Sequence, residues 1–252
     1  METRVIKTEK ILPYDKDIFS VLDKHLESFG ENAILAITSK IISICEGRVV
    51  KIGKIDKKQL VERESEYFLP PKESKYNITL TIKNGLLVPA AGIDESNGNG
   101  YYILWPADPQ KTANDVRRYL CERFSVKRAG VIITDSKTMP LRTGTTGLAI
   151  AHSGFLALKD YVGKPDIFGR KLRVTKSNLL DALAAAAALM MGEGNEQTPL
   201  ALIKDVPFIE FQQRNPTDAE LEELKIGMRD DLYAPLLKNI KWKKGYSKRH
   251  KI

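Results

Sequence analysis

The amino-acid sequence predicts an α+β fold with mixed sheets. Unbroken β-branched and aliphatic runs at 33–38 and 130–134 read as buried strands, and the alanine-rich stretch 179–191 reads as a helix. Such segments are interspersed without the regular strand–helix–strand spacing of a doubly wound sheet.

The elements follow in order. Residues 17–29 place Ile18, Val21, Leu22, Leu26 and Phe29 on one helical stripe, with His25 on the opposite, surface side. Residues 57–68 are charged and helical in pattern, closed by Pro70-Pro71. Residues 76–82 alternate as a strand, Asn84-Gly85 marks a turn, and 86–93 continue as a second strand. A helix is expected over 112–124, and short apolar strands over 130–134, 148–150 and 200–203. The helix at 179–191 has Asn178 as N-cap and Gly192 as its stop, and its alanines imply close approach to another element. Thr217 with Glu220 forms a capping box for a last helix carrying Leu221, Leu224 and Met228.

A chain of 252 residues supports real cores in one large domain or two small ones. Its two cysteines, Cys45 and Cys121, lack metal-ligand spacing, which argues for a reducing cytoplasm over a disulfide scaffold. The charged start lacks the apolar core of a signal peptide, and the longest apolar run, 182–191, falls well short of the roughly 20 residues that span a bilayer. The formal net charge is +8, but seven Lys or Arg and no acid follow from Lys238 onward, leaving +1 for residues 1–237. The chain therefore divides into a unit of 1–237 and a basic tail of 238–252. A solvated terminus is the plain reading of that tail. Trp242 and Tyr246 among its lysines leave RNA stacking open, although no nucleic-acid fold signature accompanies them.

Three acids stand where chemistry is expected. Asp135 follows Val131-Ile132-Ile133-Thr134 and emerges at the end of a buried strand, where an unpaired carboxylate costs several kcal/mol. Ser136 beside it adds a hard oxygen suited to Mg²⁺ or Mn²⁺. Asp94 and Asn97 sit three apart in a loop, a spacing that an Asx turn also explains. Glu193 lies between Gly192 and Gly194, which permit close backbone approach to a ligand and equally suit a simple helix stop. The segment Arg142-Thr143-Gly144-Thr145-Thr146-Gly147 is either an anion cradle or a hairpin turn. The common phosphate-loop and dinucleotide fingerprints are absent.

Taken in order, these pieces resemble the coenzyme F-420-0:L-glutamate ligase family, the γ-glutamyl ligases of deazaflavin maturation. The resemblance runs from Leu12 to Lys204 through Ile37-Thr38-Ser39-Lys40, Glu46-Gly47-Arg48, Ala91-Gly92-Ile93-Asp94 with Ser96-Asn97, Ile132 to Ser136, Asp166 with Phe168-Gly169-Arg170, and Met191-Gly192-Glu193. It implies a two-lobed α+β fold acting as a homodimer, with GTP or ATP as co-substrate. It also implies two divalent cations, Mg²⁺ or Mn²⁺, and in some members K⁺. Asp94 and Asp135 would ligate one metal, with Ser136 and Glu193 at the second, and Asp94, Asp135 and Glu193 would form the catalytic set. Leu12, Pro13, Tyr14, Asp15, Ser39, Lys40, Asn97 and the loop Met191, Gly192, Glu193, Gly194, Asn195, Glu196, Gln197 and Thr198 would line the nucleotide. No histidine falls at a family metal position.

Three departures from the family pattern stand out: Ile44 replaces a lysine before Glu-Gly-Arg, Met139 stands where an arginine is usual, and Ala151-His152 follows Ala149-Ile150 in place of glycine. Ser153-Gly154-Phe155, the stretch Pro165 to Arg170, and Glu196 to Pro199 resemble a bacterial branch labelled folate γ-glutamate ligases. The function expected is nucleotide- and metal-dependent joining of L-glutamate to a pterin, folate or deazaflavin acid. A nucleotide-binding sensor with the same pocket and an RNA-associated protein using the tail are the alternatives.

Overall fold

The computed structural model describes residues 1–14, 16–71 and 75–247. The main sheet orders its strands as Glu2–Ile6, Leu200–Lys204, Ala33–Thr38, Ala129–Thr138 and Thr145–Ser153, and a second sheet as Lys243–Lys244, Tyr67–Leu69, Leu80–Lys83 and Leu86–Pro89. Helices and mixed parallel and antiparallel pairing make this an α+β fold, as expected.

The first elements are β1 (Glu2–Ile6), α1 (Ile18–His25), β2 (Ala33–Thr38), α2 (Ser39–Cys45), β3 (Val49–Lys51) and α3 (Lys57–Glu64). Ile18, Val21 and Leu22 are the buried stripe of α1; Leu26 and Phe29 are buried too, but beyond its end. His25 is not a free surface residue: its Nε2 lies 2.6 Å from Glu9 Oε2. The run expected as one helix over 57–68 is a helix only to Glu64, capped at Asp56, before the chain extends into β4 (Tyr67–Leu69). Tyr67 and Phe68 pair with β5 (Leu80–Lys83), so sheet pairing ends the helix ahead of the prolines. Asn84-Gly85 turns β5 into β6 (Leu86–Pro89), which is shorter than the expected 86–93 because a 3₁₀ turn at Ala90–Gly92 interrupts it.

Next come β7 (Tyr101–Ile103), α4 (Pro109–Phe124), β8 (Ala129–Thr138), β9 (Thr145–Ser153), β10 (Leu158–Asp160), β11 (Lys176–Asn178) and α5 (Leu179–Met191). Asn178 caps α5 through its side chain, and Gly192 ends it. Its alanines do permit close approach: a Cβ on Gly147 of β9 would stand 2.4 Å from the Ala184 carbonyl oxygen. Residues 142–147 thus belong to the β8–β9 hairpin, with 145–147 inside β9.

The chain closes with β12 (Leu200–Lys204), α6 (Asp218–Glu222), α7 (Ala234–Leu237) and β13 (Lys243–Lys244). The capping box at Thr217 and Glu220 is present, but α6 ends before Leu224 and Met228, and α7 follows it. The expected solvated tail is bound instead, as far as it is described. Residues Lys243 and Lys244 pair with β4, and the Gly245, Tyr246 and Ser247 amides donate to Glu66, Glu62 and Ser65 carbonyls. Exposed lysines on an edge strand are compatible with this pairing because only the backbone enters the sheet.

Helices α1, α2 and α4 bury one face of the main sheet, with Leu22, Leu35, Ile133 and Leu120 in that core. Helix α5 covers the other face through Leu183, Ala184 and Ala187 against Ile34, Ile132 and Ala201. Smaller cores around Leu60, Ile93 and Leu104, and around Trp105, Val88 and Leu148, support the second sheet. Cys45 and Cys121 are both free thiols. No helix among the described residues is long and apolar enough to cross a membrane.

Candidate active site

The cleft is built at the carboxyl ends of the one parallel strand pair among the described residues, β2 and β8. Their register ends at Thr38 opposite Thr134, so Lys40 and Asp135 lie just past the point where β2 stops. Crevices at the ends of parallel strands are where α/β sheets bind ligands, because the chain leaves the sheet there and exposes side chains and amides. Asp135 was expected at the end of its strand. It lies within β8 instead, because pairing with β9 carries that strand on to Thr138 after a bulge between Ile133 and Thr134.

Strand β12 runs antiparallel to β2 and starts opposite Ile37, so the loop following α5 arrives at the same end. The Thr38 amide donates to the Pro199 carbonyl, and the Thr198 hydroxyl to that of Met191. The third wall comes from the second sheet. Ala90 and Ala91 both have positive φ, at 49° and 53°, an uncommon state for residues with a Cβ. The Ala91 amide is held by the Thr81 hydroxyl at 2.9 Å, and the turn delivers Asp94 to the cleft.

The Asp94 Oδ2 atom meets the Lys40 ammonium at 2.5 Å, while Oδ1 accepts from the Glu95 and Ser96 amides and the Ser96 hydroxyl. Burial raises its pKa, but Lys40 and the Ser96 donors outweigh burial and hold the carboxyl below the ordinary range. Asn97 donates to the Gly194 carbonyl at 2.9 Å, closing one loop on the other. The Ser136 hydroxyl donates to Glu193 Oε1 at 2.6 Å. Burial pushes the Asp135 carboxyl up to about 6 against the Trp105 indole N–H, which donates to its Oδ2.

The resulting cleft has a volume of about 830 Å³ and contains Asp94, Asp135, Ser136 and Glu193 together. Leu12, Lys40, Asn97 and every residue from Met191 to Thr198 also line it. Three expected positions stand elsewhere. Ser39 is buried in the first turn of α2, Pro13 is off the wall, and Tyr14 is exposed with its ring over Gly47. Asp15 lies outside the described residues. Lining residues not anticipated include Thr8, Ile11, Ile41, Asn99 and Thr145, and the departing Ile44 faces the cleft as well. Trp105 was also missed, and its only sequence mark is its place after the aromatic strand Tyr101–Ile103 and before Pro106.

The donor set consists of carboxylates and a hydroxyl, the chemistry that hard divalent cations prefer. Among the described residues, no three acidic, His or Cys groups lie close enough to hold one ion between them. Each ion would therefore need water or phosphate oxygens to complete its shell, as Mg²⁺ sites commonly do.

The family described as F420-0:Gamma-glutamyl ligase matches residues 5–205. The chain belongs to this family. It is 36% identical to the Coenzyme F420:L-glutamate ligase of Methanopyrus kandleri over 211 residues, covering 77% of this chain and 82% of that protein. The protein of the same name from Methanocaldococcus jannaschii is 36% identical over 192 residues, 69% of this chain and 77% of its own length. That of Archaeoglobus fulgidus is 33% identical over 191 residues, 70% and 76% respectively. As a member of the F420-0:γ-glutamyl ligase family, the chain is a ligase.

Proposed function

We propose that this cleft forms an amide between the amine of L-glutamate and the carboxyl group of F-420-0 or a related pterin or folate acid. The observation that carries the reading is that Asp94, Asp135, Ser136 and Glu193 share one cleft with Lys40 and a glycine-flanked loop.

A carboxylate is a poor electrophile, so the acceptor's acid first takes the γ-phosphoryl group of GTP or ATP, releasing the diphosphate. The glutamate amine then attacks this acyl phosphate; the C–N bond forms, phosphate leaves, and the amine proton goes to solvent. Bound Mg²⁺ or Mn²⁺ would neutralise charge on the phosphate oxygens. Asp94, Asp135, Ser136 and Glu193 are the residues that would hold the ions.

The remaining roles belong to the chain itself. Lys40 places a cation beside Asp94, where it can turn to a phosphate oxygen at small cost in reach. The loop Met191 to Thr198 lines the cleft at the end of α5; the Glu196 carboxylate packs against Gly192 and accepts from the Gly194 amide at 2.8 Å, so it would have to swing aside for a phosphate to take that amide. Ile11, Ile41 and Ile44 add apolar surface to the cleft lining, which suits a flat ring. The homodimer, the K⁺ requirement and a cytoplasmic setting belong to the same proposal.

The test is incubation with labelled glutamate, Mg²⁺ or Mn²⁺, and GTP or ATP, offering F-420-0, dihydrofolate and tetrahydrofolate separately. A glutamate mass increment on one acceptor, matched by nucleotide hydrolysis, is the expected result. Nucleotide-induced thermal stabilisation with no amide product from any acceptor would overturn the reading in favour of a sensor.

A further inference from the structure

Outside the cleft lining, next to Asp135, lies a partly buried charged assembly that the proposed chemistry does not use. Trp105 is 1% exposed and its indole N–H donates to Asp135 Oδ2. Lys83, at 6% exposure, stands 5.2 Å from the centroid of the Trp105 ring. The Lys83 ammonium pairs with Glu64 Oε2 at 2.9 Å, and the same oxygen accepts from Arg48 at 2.8 Å. Arg48 Nε closes the circuit by donating to the Trp105 carbonyl at 3.1 Å.

The charges balance: Arg48 and Lys83 against Glu64 and Asp135, with the neutral indole between. Burying an ammonium over a ring is costly, and an apolar side chain at position 83 would pack without that cost. The arrangement makes sense if the cation acts on the ring. A positive charge on the indole face draws electron density from it and strengthens the N–H donor at its edge.

The ring also has no room to move. Gly92 has φ +67°, and a Cβ there would lie 2.1 Å from the indole nitrogen. Val88 and Leu148 pack against the ring as well.

We propose that Trp105, held by Gly92 and polarised by the Lys83–Glu64–Arg48 cluster, is the positioning residue that fixes the Asp135 carboxylate for ligation chemistry. This rests on the proposed role of Asp135, so one arm of the test does not depend on activity.

The first arm is the indole ¹H–¹⁵N spectrum of the full chain. It holds two tryptophans, so Trp105→Phe assigns the signal. The Trp105 signal is expected far downfield and slow to exchange with solvent, and it should move upfield in both Asp135→Asn and Lys83→Met. Lys83→Arg, which keeps a cation over the ring, should largely restore it. The second arm is steady-state ligation. Trp105→Phe and Lys83→Met should lower kcat by about 10- to 100-fold, the range for partners that orient a ligand, with KM for glutamate changed less than about twofold. A signal unmoved by Lys83→Met would overturn the inference even if the wild type proves inactive, which would count against the proposed function alone. Equal losses in Lys83→Arg and Lys83→Met would also overturn it, since packing rather than charge would then be the cause.

Discussion

Replacing Asp135 by asparagine should make the metal-free protein more stable while removing its turnover. The pKa rises from an ordinary 3.8 to about 6, chiefly because burial disfavours the charged form. A carboxyl raised in this way supports the fold only while protonated. Its contribution is complete below 3.8 and is lost as pH climbs through about 6. At about 1.4 kcal/mol per tenfold, the ionised group costs about 3 kcal/mol at pH near 7.5 and about 1 kcal/mol at pH near 4.5. Asparagine keeps an oxygen to accept the Trp105 N–H and carries no charge.

The assay is thermal unfolding of wild type and Asp135→Asn in chelator at those two pH values. For a chain of this size the advantage of asparagine at the higher pH corresponds to roughly 6–12 °C, falling by about two-thirds at the lower. Added Mn²⁺ should stabilise the wild type more than the variant, which loses a ligand to one of the two ions. Turnover of the variant should fall at least about 10²-fold, the scale for losing an electrostatic stabiliser. A variant no more stable than wild type at pH near 7.5, or one that turns over normally, would refute the reasoning.

Four further outcomes are expected. Glu193→Gln should lower turnover with partial recovery at raised Mn²⁺, because it leaves Ser136 a hydrogen-bond partner but removes a charge; steady-state titration of the metal checks this. Gly92→Ala should destabilise the chain by several kcal/mol, since the new methyl collides with the Trp105 ring; urea unfolding measures it. Removing residues 243–252 should lower the melting temperature measurably, because it strips the edge strand from β4 and takes away the amide donors to the Glu62, Ser65 and Glu66 carbonyls. His152 is 1% exposed with no hydrogen-bond partner for Nδ1 among the described residues, and burial lowers its pKa to about 4. The His152 contribution should therefore be lost as pH drops from 6.5 towards about 4, opposing the gain from Asp135 over the same window, so His152→Leu should be stabilised relative to wild type at the lower pH in thermal melts.

Much of the fold was legible in the sequence where the signal is local. Strand β2 and helix α5 have the bounds their apolar runs and caps imply, since propensity and capping depend on residues within one turn. The stretch 57–68 misled because its charged pattern fits a helix throughout, while its last two residues, Tyr67 and Phe68, are claimed by pairing with β5. The tail misled in the same way: its composition reads as solvated, yet its backbone completes a sheet edge.

The sequence by itself determined the family blocks, the acids that stand at the ends of apolar runs, and the glycines beside Glu193. Only the tertiary structure decided which of them meet. Asn97 reaches Gly194 across 97 positions and Trp105 reaches Asp135 across 30. Such pairings are fixed by strand register and by the packing of two sheets, and register depends on every buried face at once. Local pattern carries no record of it, which is why nothing in the sequence marks Lys83 and Trp105 as partners until the fold places one above the other.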